Sequence, residues 1–140
     1  MRKLHLLLWL GSVVCCSSLV QAQYTPETGS VERKAIVDGL RIPVKRVLRK
    51  PVMFKVDSLR VQDGWATISA TLLKPDGSSF DWSGTKWESS WRSGEDFEGG
   101  VQALLRKRGN VWHVLDYVID ATDWAMGESC RRRKCPSVLR

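Results

Sequence analysis

Few residues of this chain have the type and setting needed for catalysis or metal binding. His113 is the one histidine beyond the first 22 residues, and it lies between Trp112 and Val114 in a stretch that alternates like a strand. A histidine there would be able to act as a general base, but we interpret it as a structural residue on a sheet face. Neither a Gly-x-Ser-x-Gly motif nor a phosphate-binding glycine motif is present. We therefore predict no enzyme, no cofactor and no metal site.

A cluster of carboxylates is the one feature that would suit a small hydrolase. Its members are Asp81, Glu88, Glu95, Asp96 and Glu98. A glycosidase needs two carboxyl groups about 5–10 Å apart across a cleft, and sequence spacing alone does not set that separation. We interpret the cluster as solvated loop acids and keep the hydrolase as an alternative.

Three tryptophans lie in a long connection, residues 78–96, which is rich in serine and glycine. They are Trp82, Trp87 and Trp91. The flat apolar face of tryptophan suits stacking on a sugar or a hot spot for protein binding. The alternative is a lid folded back on the sheet, because an exposed trio would promote aggregation. The other three tryptophans of the mature chain are expected in or at the edge of the core: Trp65, Trp112 and Trp124.

The C-terminal tail, residues 121–140, carries two cysteines with four basic residues between them. The basic residues are Arg131, Arg132, Arg133 and Lys134. Cys130 and Cys135 are the pair left after signal cleavage, and an even number in an exported protein favours a disulfide. We expect this disulfide to tie the tail to itself and to contribute little to the core. It would hold the basic residues together to bind phosphate or carboxylate groups, although a solvated basic tail is the alternative.

The first 22 residues have the pattern of a cleavable secretory signal peptide. Arg2 and Lys3 form a positive n-region, residues 4–14 are mostly apolar, and residues 20–22 form a small-x-small cleavage site. The apolar run is shorter than the roughly 20 residues of a membrane span, and no other segment is apolar enough to span. We expect a periplasmic or secreted protein with one domain, residues 23–140, and no transmembrane segment in the mature chain.

The charge of the mature chain indicates which partners to expect. Cleavage removes Arg2 and Lys3, which leaves 20 basic against 15 acidic residues and a net charge of +5. Outside the cytoplasm this charge points to an acidic protein or an anionic envelope component rather than to nucleic acid. Solubility alone is the alternative explanation.

The N-terminal part of the mature chain predicts a short lead-in and a helix. Residues 23–29 are expected to be flexible, and Ser30 is a plausible N-cap. Apolar residues then recur at helical spacing: Ile36, Leu40, Val44, Val47 and Leu48. Pro43 interrupts this pattern, so we expect either a kink or two helices that meet there.

The rest of the chain predicts two β-hairpins. The first joins residues 52–61 to residues 65–73 through Asp63-Gly64, and a bulge near Asp57-Ser58 explains a change of parity. The second joins residues 97–108 to residues 111–119 through Gly109-Asn110, with glycine first as a type II′ turn prefers. The expected fold is α+β, with an N-terminal kinked helix packed on a four-stranded antiparallel sheet. This element order is similar to the cystatin-like and NTF2-like arrangement, which says little about function.

Two stretches carry a resemblance to a family. Residues 32–41, ERKAIVDGLR, lead to Pro43, and residues 103–112, ALLRKRGNVW, lead to Ala121-Thr122-Asp123. With Gly64-Trp65-Ala66, they resemble small exported bacterial proteins of uncharacterised function. The resemblance covers most of the mature chain and implies no catalytic residues. The tryptophan-rich loop and the basic tail are particular to this chain.

These observations lead to three hypotheses about function. The leading one is an exported, non-enzymatic binding protein that recognises an envelope or secreted protein as an inhibitor, immunity factor or assembly accessory. The second is a binder of envelope glycan or anionic lipid headgroups through the tryptophan loop and the basic tail. The third is the small hydrolase based on the loop carboxylates.

The export hypothesis predicts the N-terminus of the mature protein. N-terminal sequencing of the periplasmic or secreted fraction should begin at or near Gln23, because signal peptidase cleaves after a small-x-small site. Recovery of the chain from that fraction with Met1 intact would contradict the prediction.

Overall fold

The computed structural model describes residues 21–140, so the predicted signal peptide, residues 1–22, lies outside the described residues except for its last two positions. The described chain has the predicted α+β fold, in which a helix is followed by a four-stranded antiparallel sheet of order β1-β2-β3-β4. The elements are α1 (Val31–Leu48), β1 (Met53–Gln62), β2 (Trp65–Leu73), α2 (Glu88–Ser93), β3 (Gly100–Arg108), β4 (Val111–Ile119), α3 (Met126–Arg132) and a 3-10 helix (Ser137–Leu139).

Helix α1 runs unbroken through Pro43, so the predicted kink is wrong. The N-cap is confirmed, because the Arg33 N–H donates to Ser30 Oγ over 3.2 Å. The buried stripe has four-residue spacing and continues across the proline: Ile36, Leu40, Val44 and Leu48. An interior proline costs roughly 3 kcal/mol, whereas each buried aliphatic side chain contributes about 2 kcal/mol. Val47, predicted on this stripe, is instead exposed.

The turns of both hairpins follow their local sequences. Asp63 and Gly64 have φ of 50° and 72°, positive at both positions as a type I′ turn requires. The register of the first hairpin shifts between Val56 and Ser58, which confirms the predicted bulge. Gly109 has φ of 59° at the first position of the second turn, again as predicted.

The second hairpin differs from the prediction in two places. Strand β3 begins at Gly100 rather than at Phe97, because the backbone N–H groups of residues 98–99 donate to Asp120 Oδ1 over 2.9 and 3.1 Å. A register shift also leaves Leu115 of β4 without a partner on β3. This second bulge bends the strand that forms one edge of the sheet.

The inner face of the sheet packs against α1. The strand side chains of this core include Leu59, Val61, Ala66, Ile68, Ala70, Leu72, Val101, Ala103, Leu105, Trp112 and Ile119. The helix comes closest to the sheet at β4, where a Cβ on Gly39 would stand 2.9 Å from the Trp112 carbonyl oxygen. Only a residue without a side chain permits this approach.

The C-terminal tail covers the outer face of the sheet. A second core cluster forms there from Leu104, Met126, Cys130, Cys135 and Leu139. The predicted disulfide joins Cys130 and Cys135, whose Cα atoms are 5.1 Å apart. Both cysteines are buried, so the expectation that the disulfide contributes little to the core is wrong. The tail folds flat onto Leu104 of β3, and the disulfide is part of that packing.

The residues before α1 are held to the sheet rather than flexible. The Tyr24 N–H donates to the Val61 carbonyl over 2.9 Å, and the Val61 N–H donates to the Tyr24 carbonyl over 2.8 Å. The Tyr24 hydroxyl donates to Glu32 over 2.9 Å. Burial is the main cause that raises the pKa of Tyr24 to about 12, and the hydrogen bond to the negatively charged Glu32 adds to it. This bridge pairs with the outer edge of β1 at Val61.

The contact between α1 and β4 predicts the effect of one substitution. Gly39→Ala should lower the melting temperature, although alanine is the better helix former by about 1 kcal/mol. The added Cβ meets a backbone oxygen at 2.9 Å, so α1 must move away from β4.

Gly127→Ala is the matched control, because a Cβ at that helical glycine meets its nearest atom at 3.6 Å, an ordinary contact. Thermal unfolding followed by circular dichroism compares both variants with the wild type. The interpretation fails if Gly39→Ala melts at or above the temperature of Gly127→Ala.

Candidate binding surface

The tryptophan loop folds onto the sheet, as the lid alternative predicts. Trp82 is 3% exposed, and its ring packs edge-on against Phe80 and Phe97 with centroids 5.0 Å away in each case. Trp87 and Trp91 are half-buried against the same core. The burial of Trp82 gives this side chain a packing role, and ligand contact by Trp87 and Trp91 stays a prediction.

Cations cover part of the two half-buried tryptophans. The Lys86 ammonium lies 4.4 Å from the ring centroid of Trp87, and the Arg92 guanidinium lies 5.6 Å from that of Trp91. Both distances fall within the range of cation–π attraction. A ligand that stacked on these rings would have to displace a favourable contact.

A lysine at the end of α1 anchors the start of this loop. The Lys50 ammonium donates to the Asp81 carbonyl over 2.8 Å, to the Ser83 carbonyl over 2.6 Å and to the Asp81 carboxylate over 3.2 Å. The Ser83 hydroxyl and backbone N–H also donate to Asp81. These bonds lower the pKa of Asp81 to about 2. The hydrogen bonds from Ser83 have the largest effect, and the one from Lys50 comes next.

The other loop carboxylates are also arranged as structural groups. A hydrogen bond from the Gly84 N–H, followed by one from Arg92, lowers the pKa of Glu88. A glycosidase acid requires the opposite, a raised pKa. The remaining members of the predicted cluster are exposed on the surface: Glu95, Asp96 and Glu98.

Two of the four predicted basic residues contact the edge strand β4. The Arg133 guanidinium donates to the Leu115 carbonyl over 3.2 Å, and the Arg132 guanidinium lies 4.0 Å from the Asp116 carboxylate. The tail therefore brings positive charge to the middle of β4. Sequence spacing placed these arginines together but did not indicate which strand they would meet.

The other two basic residues are placed differently. Arg131 pairs within α3 with Glu128 over 2.5 Å, an exposed pair of the kind that contributes little to stability. Lys134 is exposed and has φ of 57°, in the left-handed region. Together the four residues form an exposed rim rather than a closed anion site.

A groove of about 660 Å³ lies between α1 and β4. Its lining includes Ile42, Pro43 and Arg46 from the helix and Val111, His113 and Tyr117 from the strand. Ile42 is 64% exposed and Val111 is 56% exposed. The groove thus presents apolar surface that the fold itself leaves uncovered.

The charge around the groove is positive. Arg46 makes no ion pair within residues 21–140, and the neighbouring Lys45 and Arg49 are exposed. Asp116 is the acidic residue of the lining, and Arg132 stands opposite it at 4.0 Å. An acidic partner would therefore meet little like charge here.

The groove is suited to side chains rather than to an added strand. β4 is at the edge of the sheet, but the Trp112 carbonyl faces α1 at Gly39 and the Leu115 carbonyl accepts from Arg133. Leu115 also forms a bulge, and bulges discourage pairing with another strand. A partner would insert side chains between the helix and the strand.

Sequence reasoning missed most of this surface. It placed His113 on a sheet face and did not select Ile42, Arg46 or Tyr117. Ile42 lies outside the buried stripe of α1, and an apolar residue on the polar side of a helix is a signal that would have pointed to it. Trp124, expected in or at the edge of the core, is 41% exposed.

Among residues 21–140, no helix is both long and apolar enough to cross a membrane. Within the same residues, no three His, Cys, Asp or Glu side chains are grouped as a metal site would require.

The Lys50–Asp81–Ser83 network predicts how stability depends on pH. The folded pKa of Asp81 is lowered to about 2 from 3.8, so its contribution is present above pH 3.8 and is lost as pH falls towards 2. Asp81→Asn should be less stable than the wild type at neutral pH, and the difference should shrink as pH falls through this window.

The same substitution in a Ser83→Ala background should change stability less, because the largest cause of the shift has been removed. Chemical denaturation at several pH values measures both differences. A difference between the wild type and Asp81→Asn that does not vary between neutral pH and pH 2 would rule out the network as its source.

The chain was also compared with known proteins. The resemblance to small exported bacterial proteins rests on its motifs alone and stays a prediction. Searches against protein-family models, curated proteins and solved structures found no match to this chain.

Proposed function

We propose that the mature chain is an exported, non-enzymatic binding protein that takes an acidic protein partner in the groove between α1 and β4. The observation that carries this proposal is an exposed apolar lining with an unpaired Arg46 at its side. Inhibitor, immunity factor and assembly accessory are the roles that such a surface would serve, in the periplasm or outside the cell.

The apolar part of the groove would supply affinity. Complete burial of an isoleucine side chain contributes about 2 kcal/mol, and Ile42 is 64% exposed in this structure. Val111, which is 56% exposed, lines the same groove. Contacts of this size in the centre of an interface are typical of hot-spot residues.

The charged part of the groove would supply specificity. Arg46 on α1 and the pair Arg132 and Arg133 on the tail stand on different sides of β4. Charges at the rim of an interface act mainly on the association rate and on the choice of partner. An acidic patch on the partner would be attracted from both sides.

The two other hypotheses have less support. Glycan or lipid binding through the tryptophan loop would need Trp82, which is buried, and would compete with Lys86 and Arg92 for Trp87 and Trp91. Hydrolysis by loop carboxylates would need a carboxyl group with a raised pKa, whereas the pKa values of Asp81 and Glu88 are lowered. We therefore favour protein binding.

A capture experiment with matched variants tests the proposal. Immobilised mature protein is incubated with envelope extract, and the captured protein is quantified. Ile42→Asp should reduce capture about tenfold or more, because it removes apolar contact and places a carboxylate opposite an acidic partner. Arg46→Glu should reduce capture most at low salt, where charge interactions are least screened.

The controls lie away from the groove. Val31→Asp changes an exposed valine at the start of α1, and Lys55→Glu reverses an exposed charge on β1, which does not line the groove. Both controls should capture the partner like the wild type, with equal melting temperatures. Capture that is absent for the wild type, or equally strong for Ile42→Asp and Arg46→Glu, would exclude the groove as the binding surface.

A further inference from the structure

A second cavity lies on the outer face of the sheet, between β1, β2 and the C-terminal tail. Its volume is about 330 Å³, and it is lined by Ser58, Arg60, Thr67, Trp124 and Arg140. The groove between α1 and β4 is lined by none of these residues. The cavity therefore forms a separate site that the proposed function does not use.

The strand register explains why these residues meet. Arg60 of β1 and Thr67 of β2 are cross-strand partners, and Thr67 is in turn opposite Leu104 of β3. Leu104 belongs to the outer core beneath the tail, which brings Trp124 and Arg140 over the same row of the sheet. Ser58 is two residues before Arg60 and so points to the same face.

Two of the residues that line the cavity are arginines. Neither Arg60 nor Arg140 forms an ion pair within the described residues. Asp57 and Asp123 are adjacent in sequence to lining residues, but neither lines the cavity. Asp57 instead accepts a hydrogen bond from Thr71 over 2.9 Å. The residues that line the cavity thus include two arginines and no aspartate or glutamate.

Besides the two arginines, the lining includes a buried hydroxyl residue and an exposed tryptophan. Thr67 is 3% exposed and is one of two buried polar residues in the described chain. Its hydroxyl is not one of the buried side-chain atoms without a hydrogen-bond partner in residues 21–140, which are Gln62 Oε1 and Ser129 Oγ. Trp124, by contrast, is 41% exposed and also lines the cavity.

We propose that this cavity binds one acidic sugar unit, a ring that bears a carboxylate or a phosphate. The arginines would hold the acid group, because a guanidinium matches both oxyanions in a two-bond geometry. The indole of Trp124 would contact the apolar face of the ring, and Ser58 and Thr67 would exchange hydrogen bonds with its hydroxyls. A volume near the lower limit of small-molecule sites suits a single ring.

Titration calorimetry with four probes tests the site on the mature protein. The probes are glucuronate, glucose 6-phosphate, neutral glucose and inorganic phosphate. We expect the acidic sugars to bind in the millimolar range and glucose to bind at least about tenfold more weakly, as loss of a charge-assisted contact predicts. The two acidic sugars compared with each other identify which oxyanion is preferred.

Variants assign the roles within the site. Arg60→Gln should weaken both acidic sugars about tenfold, and Trp124→Ala should weaken them while leaving inorganic phosphate unchanged. Arg108→Gln, an exposed arginine in the second hairpin, is the matched control and should bind like the wild type. Circular dichroism shows whether each variant is folded. Arg60→Gln changes an exposed side chain, so this variant still tests the site if Trp124→Ala unfolds.

Three results would overturn the proposal. The first is binding of neither acidic sugar. The second is binding of inorganic phosphate as tight as that of the acidic sugars, which would mean an adventitious ion only. The third is unchanged binding in Arg60→Gln. None of these results affects the groove proposal, whose variants lie on α1.

Discussion

The close approach of α1 to β4 is the contact on which the rest of the structure depends. At Gly39 the helix comes so near the Trp112 carbonyl that a Cβ would stand 2.9 Å from it. The buried stripe of α1 holds the helix in this position, and it does so across Pro43. Because the helix meets the strand at Gly39, the residues one and two turns further on, Ile42 and Arg46, line a groove instead of joining the core. The same packing that stabilises the fold thus creates the surface for which we propose a partner.

The sheet has two covered faces, and they differ in how completely they are covered. The inner face buries a row of aliphatic side chains against one long helix. The outer face is covered by α3 and a 3-10 helix, which are short and centred on Leu104 of β3. The buried disulfide between Cys130 and Cys135 belongs to this cover. Because so small a cover cannot reach across the whole sheet, a concave space remains beside it at Arg60 and Thr67.

Some aromatic and basic residues stabilise the fold, whereas others are left to contact a ligand. Trp82 stabilises the long loop by packing edge-on against Phe80 and Phe97, and Lys50 anchors the same loop through Asp81. The side chains of these residues therefore stabilise the loop. Arg46 and Arg60 make no ion pair in the described chain, so their charge is available to a ligand. Unpaired cations beside concave surfaces are the features that recognition of acidic groups requires.

The sequence by itself determined the features that depend on neighbours along the chain. The Ser30 cap, the turns at Asp63-Gly64 and Gly109, the bulge near Ser58 and the pairing of Cys130 with Cys135 all follow from local residue types and spacing. The order of one helix and two hairpins followed from hydrophobic periodicity, which records which face of each element is buried.

Only the tertiary structure decided whether Pro43 would break the helix, because its cost of roughly 3 kcal/mol had to be weighed against burial on the sheet. It also decided the two candidate sites. Ile42 and Val111 line the same groove, and Arg60 and Trp124 line the same cavity. Residues so far apart in the chain come together through strand register and helix packing, which local patterns do not specify.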